Sequence, residues 1–553
     1  MIEKDIITEY VFPVAVAHAE NAENAGALTC ETELQITLVE PRLATIRKGG
    51  FVVLDFGRET GGGVRILAKN CGAKLRLRLG ESMSEAYSEL GEHGSTNDHA
   101  LRDGEFFVPD LSDQTYFDSG FRYLRIDAVE KDVTLKAVVA VSKRVGYERV
   151  GSFRHADERL TRIFDVAADT VTLCMRGGML WDGIKRDRLV WIGDMYPEFL
   201  SGMGLYRETG YLARCVDFAR ETTPLPEWMN TMPSYSLWWI ISLYEYFLRT
   251  RDEATLARNI DYLEGLTELY DGFVTEEGRI TTPGLFLDWQ SAGSADEEYG
   301  VRAIAVIAAV RAAELLTAFG KNAAHARSIK AKLERVDGQP TIKKQAAALS
   351  LLAGLKADPR LLTKGGASGM STFTSWAILE AAHDFVSPRA ALDMCRDYYG
   401  AMLDKGATTF FEDFDYDVMK DAAPITRLAR AGEKDVHRDF GAHCYKGYRH
   451  SLCHGRRNRL SVLARYGDTR AGISRRRYRH DKVVPGARRR AGRVSRAGRQ
   501  RVRVGARRQN GGLGERRREA SRGKAVIAEE AELSLADGAV EKWVKFKFYG
   551  VLN

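Results

Sequence analysis

The hydrophobic period of this chain changes once, near Gly151. Before it, from about residue 30 to 145, apolar residues recur mostly every second position. Phe51 to Phe56, Val64 to Lys69, Lys74 to Leu79, Phe121 to Ile126 and Val133 to Val141 are the clearest runs, and Leu75, Leu77 and Leu79 alternate with Arg and Lys. A period of two sends successive side chains to opposite faces of a strand, and short strands between glycine turns predict a β-sandwich over residues 1–150. Gly61-Gly62-Gly63 falls between two of these runs and reads as a hairpin turn, because a phosphate loop would need a helix and Gly-Lys-Ser/Thr behind it.

After Gly151 the period becomes helical. Leu160, Ile163, Phe164, Ala167 and Val171 share one helix face, and similar stripes recur near 195–207, 211–221, 234–249, 253–270, 300–319, 323–336, 341–355, 372–384, 388–403 and 437–453. About eleven helices with no strands between them suit a toroid of paired helices better than a bundle. The predicted unit is an (α/α)6 barrel over residues 151–455.

Charge divides the chain again at Arg456. Residues 456–523 hold 24 basic residues against four acidic ones, a net of +20, while the other 485 residues carry 58 basic and 71 acidic groups, a net of −13. This Arg-rich irregular segment contains no Phe, Trp or Met and cannot bury enough surface to offset chain entropy and self-repulsion. Out-of-frame translation of a GC-rich gene yields Arg, Gly and Ala in this way, so the segment reads as a frame error from about Arg456. The rival reading, a tail that binds nucleic acid or another polyanion through its charge, lacks aromatics for stacking and a recognition module. Residues 524–553 regain balance, and Val544, Phe546 and Phe548 alternate with lysines as a remnant edge strand would.

The seven cysteines are scattered and never spaced C-x-x-C, which points away from a disulfide framework or zinc site. Acids at Glu3 and Asp5 replace the basic stretch of a secretory signal, and no run reaches transmembrane length. A reducing, cytoplasmic setting is expected.

Chemistry concentrates in two places. Trp181-Asp182-Gly183-Ile184-Lys185-Arg186-Asp187-Arg188-Leu189-Val190-Trp191-Ile192-Gly193-Asp194 sets three carboxylates, basic groups and two indoles in a glycine-broken stretch between helices. An Asp beside an indole in a dry pocket can stay protonated as a general acid while its neighbours stay ionised; a helix connection laced with surface ion pairs accounts for the composition equally well. The second cluster, Gly406-Ala407-Thr408-Thr409-Phe410-Phe411-Glu412-Asp413-Phe414-Asp415, interleaves acids with aromatics as a pyranose pocket does. On its own it also reads as an acidic loop over buried Phe. Glu227-Trp228, Pro233 to Trp239 and Asp288-Trp289 repeat the theme, with Trp239 open to a core reading.

The stretch Asp182–Asp194 resembles the signature of bacterial α-L-rhamnosidases, the inverting glycoside hydrolases of family 78, commonly written D-C-P-x-R-E-x-x-G-W-x-G-D. Asp182, Arg186, Trp191, Gly193 and Asp194 stand in register, and Asp187 occupies the place of the general-acid Glu. Glu412 falls where T-T-x-W-E-x-W places the general base, after Thr408 and Thr409, with Phe411 and Phe414 standing for the tryptophans. His454 resembles the late histidine that contacts the sugar, and Leu54-Asp55-Phe56-Gly57 and Gly151-Ser152-Phe153 extend the likeness over most of residues 50–455. Gly183-Ile184 depart from Cys-Pro, and Asp187 is one methylene shorter than Glu.

The resemblance implies hydrolysis of terminal α-L-rhamnose with inversion, without metal or cofactor. Asp187 would protonate the leaving oxygen and Glu412 would deprotonate a water, across the roughly 6.5–9.5 Å that inversion requires. Asp182, Arg186, Trp191, Asp194, Trp239, Asp288, Trp289 and His454 would bind the sugar. The partner would be a rhamnose-containing oligosaccharide or glycoside, with no membrane involved. It also implies a closing helix and a C-terminal β-domain where the Arg-rich segment stands. A carbohydrate-binding relative with impaired catalysis is the alternative.

Overall fold

The computed structural model describes residues 6–90, 92, 102–185, 187–336, 342–412 and 414–435, together with the backbone of the strands Ala528–Ser534 and Val544–Tyr549. Seven strands form one antiparallel network: β1 (Ile6–Val11), β2 (Ala15–Glu23), β3 (Ala44–Asn70), β4 (Ala73–Gly80), β5 (Asp103–Val108), β6 (Ser112–Ala128) and β7 (Val133–Val145). Their order is β1-β7-β3-β6-β4-β5, with β2 also against β3. Alternation does what the sequence predicts: Val52, Leu54, Phe56, Val64, Ile66, Leu75, Leu77, Leu79, Leu124 and Ile126 share one core. Each such side chain contributes roughly 1.5–3 kcal/mol on burial.

The glycine triplet is not a hairpin turn. It lies inside β3, where Gly61 pairs with Gly120 of β6 and Gly63 with Val141 of β7. A Cβ on Gly62 would stand 2.0 Å from the Val141 carbonyl oxygen, and one on Gly63 2.7 Å from that of Phe117. The glycines serve close backbone approach rather than chain reversal.

The helices of the second region among the described residues are α2 (Glu158–Cys174), α3 (Met195–Leu205), α4 (Gly210–Glu221), α5 (Pro233–Thr250), α6 (Glu253–Asp271), α7 (Ala295–Ala318), α8 (Ala324–Glu334), α9 (Lys344–Leu352), the short α10 (Arg360–Thr363), α11 (Ser375–Phe385), α12 (Pro388–Asp404) and the short α13 (Tyr416–Met419); a short α1 (Met83–Tyr87) belongs to the sheet region. Local signals set several starts. Asp157 accepts from the Arg159 N–H, Asp252 from that of Thr255, and Ser387 from that of Ala390 ahead of Pro388 in the first turn. Helix α2 packs on α3, then α3 on α5, α5 on α7, α7 on α9, α9 on α11, α11 on α12 and α12 back on α2. The expected helix at 437–453 and the Arg-rich run 456–523 lie outside the described residues. Ala528–Ser534 pairs with both Val544–Tyr549 and β8 (Ser152–Arg154). Among the described residues no helix is long and apolar enough to cross a membrane.

The two regions meet along a seam. Gly61 and Gly120 leave room for Ile184, Arg122 on β6 donates to the Gly406 carbonyl at 3.1 Å, and the Met83 N–H donates to the Ile425 carbonyl at 2.9 Å. Both sequence clusters therefore border on the sheet.

Candidate active site

Asp182 and Leu189 close the signature stretch into a loop. The Asp182 N–H donates to the Leu189 carbonyl at 2.9 Å, and the Leu189 N–H donates to Asp182 Oδ1 at 2.8 Å. Asp187, half-buried, and Arg188 lie within it with φ of 53° and 58°. Left-handed backbone costs a non-glycine residue about 1–3 kcal/mol and persists only where the surroundings over-determine it. Here Arg188 donates to the Asp118 carbonyl at 2.8 Å and lies 4.9 Å over the Trp181 ring. Lys185 is buried and bonded to Glu81 at 3.1 Å and to Glu85. Burial opposes its charge, but those two carboxylates outweigh it and hold the lysine above its ordinary pKa.

The end of the loop is clamped from the next helices. Asn230 accepts from the Ile192 N–H at 3.0 Å and donates to the Val190 carbonyl at 3.2 Å. Tyr235 donates to Asp194 Oδ1 at 2.7 Å and meets Trp191 edge-on at 5.8 Å. Gly193 is required there, since a Cβ would stand 2.4 Å from the Tyr235 ring.

Contacts continue from this clamp to the second cluster. Tyr235 meets Phe286 at 6.1 Å, and Phe286 meets Trp289 at 5.1 Å and Phe373 at 6.5 Å. Fully buried Asp288 accepts from Ser371 and, at 2.8 Å, from the Thr374 hydroxyl. Thr372 bonds Tyr398 at 3.0 Å, and Tyr398 donates to the Phe414 carbonyl at 2.9 Å. Glu412 lies between Phe411 and Phe414 in sequence and is 1% exposed, and those two rings are 6.0 Å apart. One unbroken path of contacts thus runs from Trp191 to the segment bearing Glu412. It combines carboxyl groups in a dry setting with half-buried indoles at Trp191 and Trp289, the chemistry a sugar ring needs.

Solved structures share this architecture. The chain is similar to a rhamnosidase from Klebsiella oxytoca with rhamnose bound, at a TM-score of 0.66 and 20% identity, over 83% of this chain and 96% of that one. The fold is that of the α-L-rhamnosidases. A family 78 rhamnosidase of Bacillus sp. GL1 gives 0.60 and 19% over 79% of this chain, and the Streptomyces avermitilis α-L-rhamnosidase complexed with L-rhamnose gives 0.57 and 15% over 77%. The chain spans 48% and 44% of those two proteins. No family model matches it, and no curated protein matches it in sequence.

Within this rhamnosidase fold the expected sugar-binding residues separate. Trp191, Asp194, Asp288 and Trp289 lie along the contact path, and Asp182 closes the loop of Asp187. Trp239 does not belong with them. It is fully buried, its indole N–H donates to the Val216 carbonyl at 3.0 Å, and its ring packs on Tyr262 at 5.2 Å, which makes it a core residue. Arg186 and His454 lie outside the described residues. Sequence reasoning missed Asn230, Ser371 and Thr374, whose bonds to Val190, Ile192 and Asp288 join residues far apart in the chain, and gave Tyr235 and Lys185 no role although both stand in the quoted clusters.

Proposed function

We propose that this chain removes terminal α-L-rhamnose from glycosides with inversion. The observation that carries the reading is the contact path tying the loop of Asp187 to the segment of Glu412. Asp187 acts as general acid toward the glycosidic oxygen, and Glu412 as general base toward a water on the opposite face of the ring. Trp191 and Trp289 supply apolar walls, and Asp194, fixed by Tyr235, orients hydroxyls. Buried Asp288, whose Oδ1 makes no hydrogen bond among the described residues, is proposed as a further acceptor for the sugar. Arg186 and His454 join the site on the resemblance alone. The closed sequence of helix contacts supports an (α/α)6 toroid over 151–455, and the doubled pairing of β3 supports a sandwich over 1–150.

Incubation with an aryl α-L-rhamnoside tests this directly: L-rhamnose is released. Binding of L-rhamnose without release from any rhamnoside would instead identify a carbohydrate-binding relative.

A further inference from the structure

Among the described residues, Glu59 is a buried carboxyl group in the seam that makes no side-chain hydrogen bond. It follows the bend of β3, where the register with β6 slips between Asp55 and Thr60. Its N–H donates to the Thr408 hydroxyl at 2.8 Å, in the segment that leads to Glu412. The residue is 4% exposed, and among the described residues neither carboxyl oxygen finds a hydrogen-bond partner. A Cβ on Gly120 would stand 3.2 Å from Glu59 Oε1 and 2.7 Å from Ile184 Cγ1, so the carboxyl and the signature loop share the space that this glycine leaves open.

Among the described residues, the charged groups that act most strongly on Glu59 are Glu81 after β4, Glu85 in α1, Lys185 in the signature loop and Arg122 on β6. Both cations are committed elsewhere. Arg122 makes two bonds to Asp55, at 2.8 and 2.9 Å, besides its bond to Gly406, and Lys185 holds Glu81 and Glu85, with Arg102 3.6 Å from Glu85. An ionised Glu59 would be a third carboxylate in a dry space whose lysine already serves two. A buried acid so placed gives up its charge rather than its hydration. Burial first, and Glu81 after it, push Glu59 well above the usual carboxylate range, against a weaker pull from Lys185.

We propose that Glu59 is a positioning residue that holds the Thr408–Glu412 segment and the Ile184–Lys185 part of the signature loop together as an uncharged carboxylic acid. Its main chain fixes the first, and its neutral side chain fills the space beside the second. Ionisation sets a repelling charge beside Glu81 and Glu85 and loosens the register of the two loops. For its effect on turnover this rests on the rhamnosidase reading; for its effect on folding it does not.

The experiment compares wild type, Glu59→Gln and Glu59→Ala in the full chain from pH 5 to 9, by melting temperature and by kcat and KM on an aryl rhamnoside. A raised folded-state pKa means that the stabilising contribution is complete below the ordinary value of 4.5 and is lost as pH rises toward the folded value. The melting temperature of wild type therefore falls relative to Glu59→Gln as pH rises, and its kcat declines on the alkaline side where the amide's holds. Glu59→Gln keeps kcat within threefold of wild type at pH 5, while Glu59→Ala loses tenfold or more in kcat with KM moved less than threefold. Parallel melting curves for wild type and Glu59→Gln overturn the proposal, as does an amide as impaired as the alanine variant. If wild type releases no rhamnose, the rhamnosidase reading fails and the melting curves alone decide Glu59. If Glu59→Ala does not fold, the comparison with the amide still decides it.

Discussion

Gly193→Ala tests the clamp on the signature loop. The new methyl carbon would stand 2.4 Å from the Tyr235 ring, so the ring must retreat by about 1.1 Å to reach ordinary carbon contact near 3.5 Å. The Tyr235 hydroxyl, now 2.7 Å from Asp194 Oδ1, would then stand as far as about 3.8 Å away, beyond hydrogen-bonding distance. Loss of a bond to a charged group costs about 1.5–3 kcal/mol, and overpacking costs about 1–3 kcal/mol more. Against a domain stability of about 5–15 kcal/mol, the variant folds but melts clearly lower. If Asp194 orients the sugar in the transition state, the lost bond lowers kcat/KM roughly 10- to 150-fold, at about 1.36 kcal/mol per tenfold. Tyr235→Phe, which removes only the hydroxyl, isolates the second effect: a similar loss of kcat/KM with a smaller loss of melting temperature. Melting curves and aryl rhamnoside kinetics on both variants provide the check. A Gly193→Ala protein with wild-type melting temperature and wild-type kcat/KM would refute the reasoning.

Asp187→Asn and Glu412→Gln each lower turnover of a rhamnoside with a poor leaving group by roughly a hundredfold or more. An activated aryl leaving group partly rescues the first, and full activity in both removes the assignment. Proton NMR of the first product shows the inverted anomer; early accumulation of the retained anomer would make one carboxyl a nucleophile. Lys185→Met leaves Glu81 and Glu85 buried without their lysine and lowers stability by about 3–5 kcal/mol. Because an acidic medium relieves the unpaired negative charge, the deficit shrinks as pH falls, and a deficit constant between pH 5 and 8 would argue against a buried charge cluster.

Much of this architecture is legible in residue order. The change of period at Gly151 separates sheet from helices, because a two-residue repeat and a 3.6-residue repeat cannot bury the same stripe. The two clusters around Asp187 and Glu412 stand out by composition, but composition alone also fits surface ion pairs and an acidic loop, and it is the family resemblance that singles out those two carboxyls. These are local properties, and the chain carries them before it folds.

Only the tertiary structure decided the rest. Gly61 to Gly63 look like a turn in sequence and are a strand interior, because what they accommodate is the backbone of β6 and β7. Trp191 and Trp239 are alike as residues, yet one is half-buried at the clamp and the other closes the core under Val216 and Tyr262. Asn230, Tyr235, Ser371 and Thr374 gain their roles from partners up to 86 positions away. Glu59 differs from other glutamates only in what surrounds it: the sheet and two loops exclude water from it, and Lys185 and Arg122, the cations that act on it, hold other carboxylates. Burial and pairing are sums over neighbours that chain folding brings together, and no window of sequence contains them.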